Sequence, residues 1–156
     1  MIFKDKAHED FYMSAGKMFK NFDCWHQAFF YVAGLNGDTR KHIRDIFNFD
    51  ESCINPDGLN KPWQTGGSEK VSLMAFNLWN GYAEPDREIE STPYELFCTM
   101  DSAYFMEGIK LRYPEYSLEK AQAENSHMES LVKKLQKSPA GKTESQKSKD
   151  RAVSIR

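Results

Sequence analysis

The chain has 156 residues, 40% of them hydrophobic and 13% aromatic, enough for one domain with a packed core and too many for a disordered polymer. No run approaches the roughly 18–20 apolar residues of a membrane span. The start, Met1-Ile2-Phe3-Lys4-Asp5-Lys6, lacks the basic-then-apolar order of a signal peptide, so the expected address is the cytoplasm, with no membrane partner.

The net charge of −2 hides a division. Lys133 to Arg156 carries eight basic residues against two acidic ones, a balance of +6 that leaves −8 on the remainder. An acidic body repels nucleic acid. Cys24, Cys53 and Cys98 are an odd number without a CxxC and read as free thiols in a reducing compartment. Cys24 and His26 supply only two ligands at an unusual spacing, so no metal site is expected.

The first predicted helix runs from Asp5, its N-cap, to about Lys20, with Ala7, Phe11, Ala15, Met18 and Phe22 on one face. The second begins at Asp23. It carries Trp25, Ala28, Phe29, Val32 and Ala33 inward and ends at Gly34 to Gly37. Asp38 is expected to cap a third, Thr39 to Phe47, whose Arg40, Lys41 and Arg44 form a basic face. Asn48 to Gly67 is a long connection with a turn at Asn55-Pro56-Asp57-Gly58.

Trp63-Gln64-Thr65-Gly66-Gly67-Ser68 then reads as a glycine-paired turn into the central helix. There Val71, Met74, Ala75, Leu78, Trp79 and Tyr82 keep helical spacing while Leu73 and Phe76 add a second apolar side. A helix apolar on most of its surface belongs inside, and it is expected to pack on the second helix. Thr92-Pro93-Tyr94-Glu95 has the signature of a capping box and opens a short helix to about Met100. Another helix from Asp101 or Ser102 places Phe105, Met106, Ile109 and Tyr113 inward and stops at Pro114. Ser117 to Gln136 carries a narrow seam of Ala121, Asn125, Met128, Val132 and Leu135, suited to a contact with its own body or to a short coiled coil. The Lys/Ser-rich end from 137 to 156 reads as disordered. No segment alternates as a strand would. The fold class expected is all-α: a compact bundle of five or six helices around a central buried one over residues 1–116, a C-terminal helix over 117–136, and a basic tail.

Three places invite chemistry. Thr65, Gly66, Gly67 and Ser68 open the central helix, where free N–H groups and the positive dipole end suit a phosphate or carboxylate, with Arg40 and Arg44 as helpers. The GxxxxGK[ST] pattern of a nucleotide loop is missing, and the same glycines read more plainly as a tight turn that seats Trp63. Asn77 and Asn80 are polar on a buried helix, so they either bond internally or line a groove with Gln64. Asp38, His42 and Asp45 share one side of the third helix, but the plainer reading is a cap, a surface histidine and a paired carboxylate. His26 among aromatics reads as a buried histidine bonded to backbone. No GxSxG, HExxH or paired-carboxylate motif occurs, so no catalytic residue and no cofactor are expected.

His26-Gln27-Ala28-Phe29-Phe30-Tyr31, Asp38-Thr39-Arg40, Trp63 to Ser68, Ala75-Phe76-Asn77-Leu78-Trp79-Asn80-Gly81-Tyr82, Thr92-Pro93-Tyr94-Glu95-Leu96-Phe97 and Leu111-Arg112-Tyr113-Pro114-Glu115-Tyr116 together resemble a small family of unknown function. It is found in Gram-positive bacteria and associated with their plasmids, phages and integrative elements. The resemblance covers residues 1 to about 116 and implies a small cytosolic accessory protein acting on host machinery. It names no catalytic residue. The function expected is therefore a non-catalytic interaction protein of mobile-element origin that binds a host protein or protein–nucleic-acid complex. Inhibition of a bacterial defence system such as CRISPR is one concrete form; the tail reads first as a solvated extension and second as a weak nucleic-acid contact. The alternative is a small-molecule or nucleotide-phosphate site at the amino end of the central helix.

Overall fold

The computed structural model describes residues 1–116 and 118–137. The architecture is all-α apart from one tiny hairpin. Two compact units divide the chain, Met1–Ser117 and Leu118–Arg156.

In the first unit, α1 (Lys6–Gly16) starts where Asp5 accepts the His8 N–H at 2.8 Å. It stops four residues short of the expected Lys20. Its buried face is His8, Tyr12 and Ala15, so the apolar stripe is turned from the expected one, leaving Ala7 and Met18 exposed. A histidine that finds two backbone partners takes the inward place that alanine was expected to hold.

Asp23 caps α2 (Cys24–Ala33) by accepting the Trp25 and His26 N–H groups. Ala28 through Ala33 are all fully buried, and α2 packs against α1, α5 and α7. Phe29 lies parallel to Phe76 of α5, with ring centroids 6.3 Å apart. The expected contact between these two helices is present, and α2 is the more completely enclosed of the pair. Trp25, expected inward, is 44% exposed.

The third predicted helix is broken in two. Asn36, not Asp38, caps α3 (Gly37–Lys41), its side-chain oxygen accepting from the Asp38 and Thr39 N–H groups. After His42 a single turn, α4 (Ile43–Ile46), leads into the hairpin of β1 (Phe47–Asn48) and β2 (Cys53–Ile54). The strands are antiparallel, pairing Phe47 with Ile54 and Asn48 with Cys53. Two residues per strand are too few for alternation to show in the sequence. Phe47 drives the hairpin inward, packing against Phe29, Phe30 and Trp79.

A 3-10 turn, Pro56–Asn60, and Trp63 lead to α5 (Gly66–Asn80), which ends at Gly81 with φ +77°, a left-handed cap. Val71 to Phe76 and Leu78 are buried. A 3-10 turn, Glu88–Ser91, precedes α6 (Pro93–Leu96), one turn only. The expected capping box does not form: Thr92 Oγ1 donates back to the Ile89 carbonyl and Glu95 pairs with Lys70 instead. In α7 (Ser102–Arg112), Phe105 and Gly108 are buried, while Met106 faces out at 51% exposure. Gly108 lets α7 approach α2, since a Cβ there would lie 2.5 Å from Val32 Cγ2.

The second unit contributes α8 (Leu118–Lys137). The tail predicted to be disordered, and the nucleic-acid contact assigned to it, lie outside the described residues.

Candidate functional site

The amino end of α5 is closed on itself. Thr65 Oγ1 accepts the Ser68 N–H and Ser68 Oγ accepts the Thr65 N–H, a reciprocal capping box. Ser68 is fully buried and its hydroxyl also donates to Gln64 Oε1 at 2.8 Å. Gln64 Nε2 donates to the Gly58 carbonyl and to Ser72 Oγ. Gly66 and Gly67 are the first residues of the helix rather than a turn before it, and nothing lies within 4 Å of where a Gly66 Cβ would be.

The expected helpers are elsewhere. Arg40 Nη1 donates to the Gly34 carbonyl at 2.6 Å and thereby finishes α2. Arg44 lies over the Phe49 ring at 5.1 Å. Asn77 and Asn80 stand roughly 14 and 18 Å along α5 from Ser68 at 1.5 Å per residue, and Asn80 Oδ1 accepts the Tyr82 N–H. The structure thus gathers Gln64, Thr65 and Ser68 into a structural clasp with the two glycines beside it. Arg40 and Arg44 have partners of their own, and Asn77 and Asn80 lie farther along α5. Among the described residues, the cavity that Asn77 lines includes neither Gln64 nor Asn80.

The histidines resolve differently from one another. His42 lies flat on Trp63 with centroids 4.7 Å apart, and Asp45 Oδ2 stands 3.3 Å from its Nδ1 while accepting the Trp63 indole N–H at 2.8 Å. Asp38 sits 3.9 Å from Lys41. The trio thus matches neither reading in full: Asp38 is not the cap, and Asp45 holds Trp63 and His42 in a clamp on the long connection. Among the described residues no group of three His, Cys, Asp or Glu is placed to hold a metal ion.

His26 is not bonded to backbone through its ring, as expected. It bridges Asp23 Oδ1 and Ser52 Oγ, each at 2.8 Å. Burial pushes the Asp23 carboxyl up, but hydrogen bonds from the His26 ring and backbone outweigh it and hold the group below the ordinary aspartate value. An Asp–His–Ser chain has the order of a nucleophile relay, and Ser52 holds φ +52°. Yet the nearby cavity of about 360 Å³ is lined by Arg44, Asn48, Asp50, Glu51 and Asn55 and not by Ser52. The serine hydroxyl is engaged by the histidine ring. The chain pins the hairpin to α2.

The remaining feature lies at the other end of α5. Met74, Leu78, Leu96, Phe97, Ile109 and Tyr113, from α5, α6 and α7, line a half-enclosed cavity of about 330 Å³, with Pro93 at its edge. Two polar residues share this apolar wall. Asn77 projects from α5, and its side-chain amide makes no hydrogen bond among the described residues. Ser91, at the end of the 3-10 turn, has a hydroxyl sealed from water and without a partner, the only such buried side-chain atom among the described residues. An unmatched buried hydroxyl costs about 1–3 kcal/mol.

Beside the cavity stands a cation–aromatic cluster. The Arg112 guanidinium lies 4.4 Å from the centroid of Trp25 and 4.8 Å from that of Tyr113. Its Nε donates to the Leu78 carbonyl at 2.8 Å, which holds it still. Trp25 is 44%, Tyr113 37% and Tyr116 80% exposed. Reading the sequence had placed Trp25 and Tyr113 inward and so missed this surface. The signal available was an arginine ending a helix next to a tyrosine, too common to single out.

Fold and site together define a compact α-helical domain with one unsatisfied apolar cavity and an ordered aromatic surface. Over residues 1–125 the chain matches the model of a family of unknown function, DUF6075, and it belongs to that family. No curated protein and no solved structure matches it.

Proposed function

We propose that the protein is a non-catalytic interaction protein carried by mobile elements of Gram-positive bacteria, acting in the cytoplasm on a host protein or nucleoprotein complex. Its working surface is the cluster of Trp25, Arg112, Tyr113 and Tyr116. The observation that carries this reading is the Arg112 guanidinium over two exposed rings, fixed from behind by the Leu78 carbonyl. Trp, Tyr and Arg dominate the energetics of protein interfaces, and they do so best when they are held before the partner arrives. The excess of acidic residues outside the tail suits a partner whose own site is basic, as nucleic-acid-handling host proteins are. Inhibition of a defence system such as CRISPR is the concrete form we favour.

The test is an interference assay in a Gram-positive host whose CRISPR system targets a plasmid, with the protein expressed or absent. Expression is expected to rescue plasmid transformation, and Trp25→Ala with Arg112→Ala to lose most of that rescue. Recovery of the same host protein by the wild type and not by the double variant identifies the partner. No rescue in any system tried, together with no reproducible partner, overturns the reading. A phosphate or nucleotide site at the amino end of α5 is the reading we favour less, since the Ser68 hydroxyl caps the helix and Arg40 donates to the Gly34 carbonyl.

A further inference from the structure

We infer that the cavity between α5, α6 and α7 is a binding site for a small, largely apolar molecule carrying one hydrogen-bonding group, with Asn77 as the residue that selects that group. The inference does not rest on the interface reading and uses a different observation.

The volume, about 330 Å³, is within the range of small-molecule sites and about twice that of an engineered cavity that admits benzene. The wall is formed by aliphatic and aromatic side chains from three helices. Onto this wall the fold places the Asn77 amide, while the unpartnered Ser91 hydroxyl is sealed beside it. Elsewhere the fold matches its interior polar groups closely. His8, His26, Thr39, Ser68 and Asp101 are all buried, and each has a hydrogen-bond partner. A protein that satisfies those groups yet leaves the Asn77 amide unpartnered on an apolar wall has kept one polar group available there. An amide can both donate and accept, so a phenol, an alcohol or a carbonyl on a hydrophobic skeleton meets the chemistry. A charged group does not, because no lining residue carries an opposite charge. Phosphorylated ligands are thereby excluded from this cavity, in contrast to the class considered for the amino end of α5.

The probes are 4-ethylphenol and ethylbenzene, one skeleton with and without a hydroxyl, titrated into the full chain labelled with 15N. The phenol is expected to bind saturably and to move the Asn77 side-chain amide resonance. In Asn77→Leu, which keeps the size of a residue that is only half-buried, phenol affinity should fall about tenfold, the loss of one hydrogen bond. Ethylbenzene should bind that variant as well as, or better than, the wild type. Ile109→Phe, filling the space from α7, should abolish both, while Trp25→Ala should change neither. Absence of binding by both probes at millimolar concentration overturns the inference. So does phenol affinity that is unchanged in Asn77→Leu. If Trp25→Ala loses host-protein binding while phenol binding persists, the cavity stands independently of the interface.

Discussion

His8 shows how one side chain ties pH to the fold. Its ring is fully buried, with Nε2 2.8 Å from the Tyr31 carbonyl and Nδ1 accepting the Lys4 N–H at 3.2 Å. Those partners fix the neutral ring with its proton on Nε2. A second proton would point at the Lys4 N–H, itself a donor. Burial pulls the His8 pKa below the ordinary value of 6.5, and the bond to Tyr31 only partly restores it. The folded chain therefore takes up this proton less readily than the unfolded one. Stability is complete above about pH 6.5 and falls as the pH drops below it, until the folded ring also titrates. Nearby Lys4 and Arg40 oppose protonation, and Asp5 favours it. Thermal unfolding from pH 7.5 to 5 should show a falling midpoint, and His8→Gln should start lower and fall less steeply. Equal slopes would assign the acid sensitivity to other groups. Sequence reading gave His8 no role because it looked for chemical neighbours along the chain, and both partners are backbone atoms.

At the level of elements, the sequence was most legible where a helix is long and strongly patterned. The core of α5, the Asp5 and Asp23 caps and the Gly81 terminus all follow from local rules. It was least legible between residues 36 and 65, where tertiary contacts override propensity. His42 stacks on Trp63 and Arg40 turns back to Gly34, so a helix predicted as continuous breaks into two turns and a hairpin. The glycines sharpen the contrast. Gly66 and Gly67 looked structural in sequence and have room for side chains. Gly58 looked like an ordinary turn residue and has none: a Cβ there would lie 2.5 Å from the Asp45 carbonyl oxygen and 2.6 Å from Ile46 Cγ2. Gly58→Ala should destabilise by about 1–3 kcal/mol, because backbone cannot yield as a side chain does. Gly66→Ala should be neutral or add up to about 1 kcal/mol, through the lower entropy of its unfolded chain. Urea denaturation of the two single variants checks both signs. Equal effects would mean that the close packing of Gly58 on α4 is relieved by a shift of the loop.

For the whole molecule, the resemblance was expected to end near residue 116, whereas the family match continues to residue 125, within α8. The candidate site was only partly legible on the same scale. Asn77 stood out because an amide on an apolar helix demands an explanation. Ser91 did not, because it follows the polar stretch Ala83 to Glu90, and the cavity is assembled from segments far apart in the chain. Trp25 and Arg112 are further apart still. These features all belong to the Met1–Ser117 unit, which has an enclosed core of its own running from Tyr12 to Phe105. A chain ending at Ser117 should therefore unfold cooperatively, with a midpoint within about 4 °C of the full protein, the shift that corresponds to less than about 1 kcal/mol for a unit of this size. It should also retain the 4-ethylphenol site and the exposed Trp25 surface. A fragment that melts far lower, or without cooperativity, would show that the helix the family model partly includes contributes to the stability of the first unit. Retained stability with lost rescue of plasmid transformation would instead place part of the partner contact on α8, whose Met128, Val132 and Leu135 are exposed along one seam.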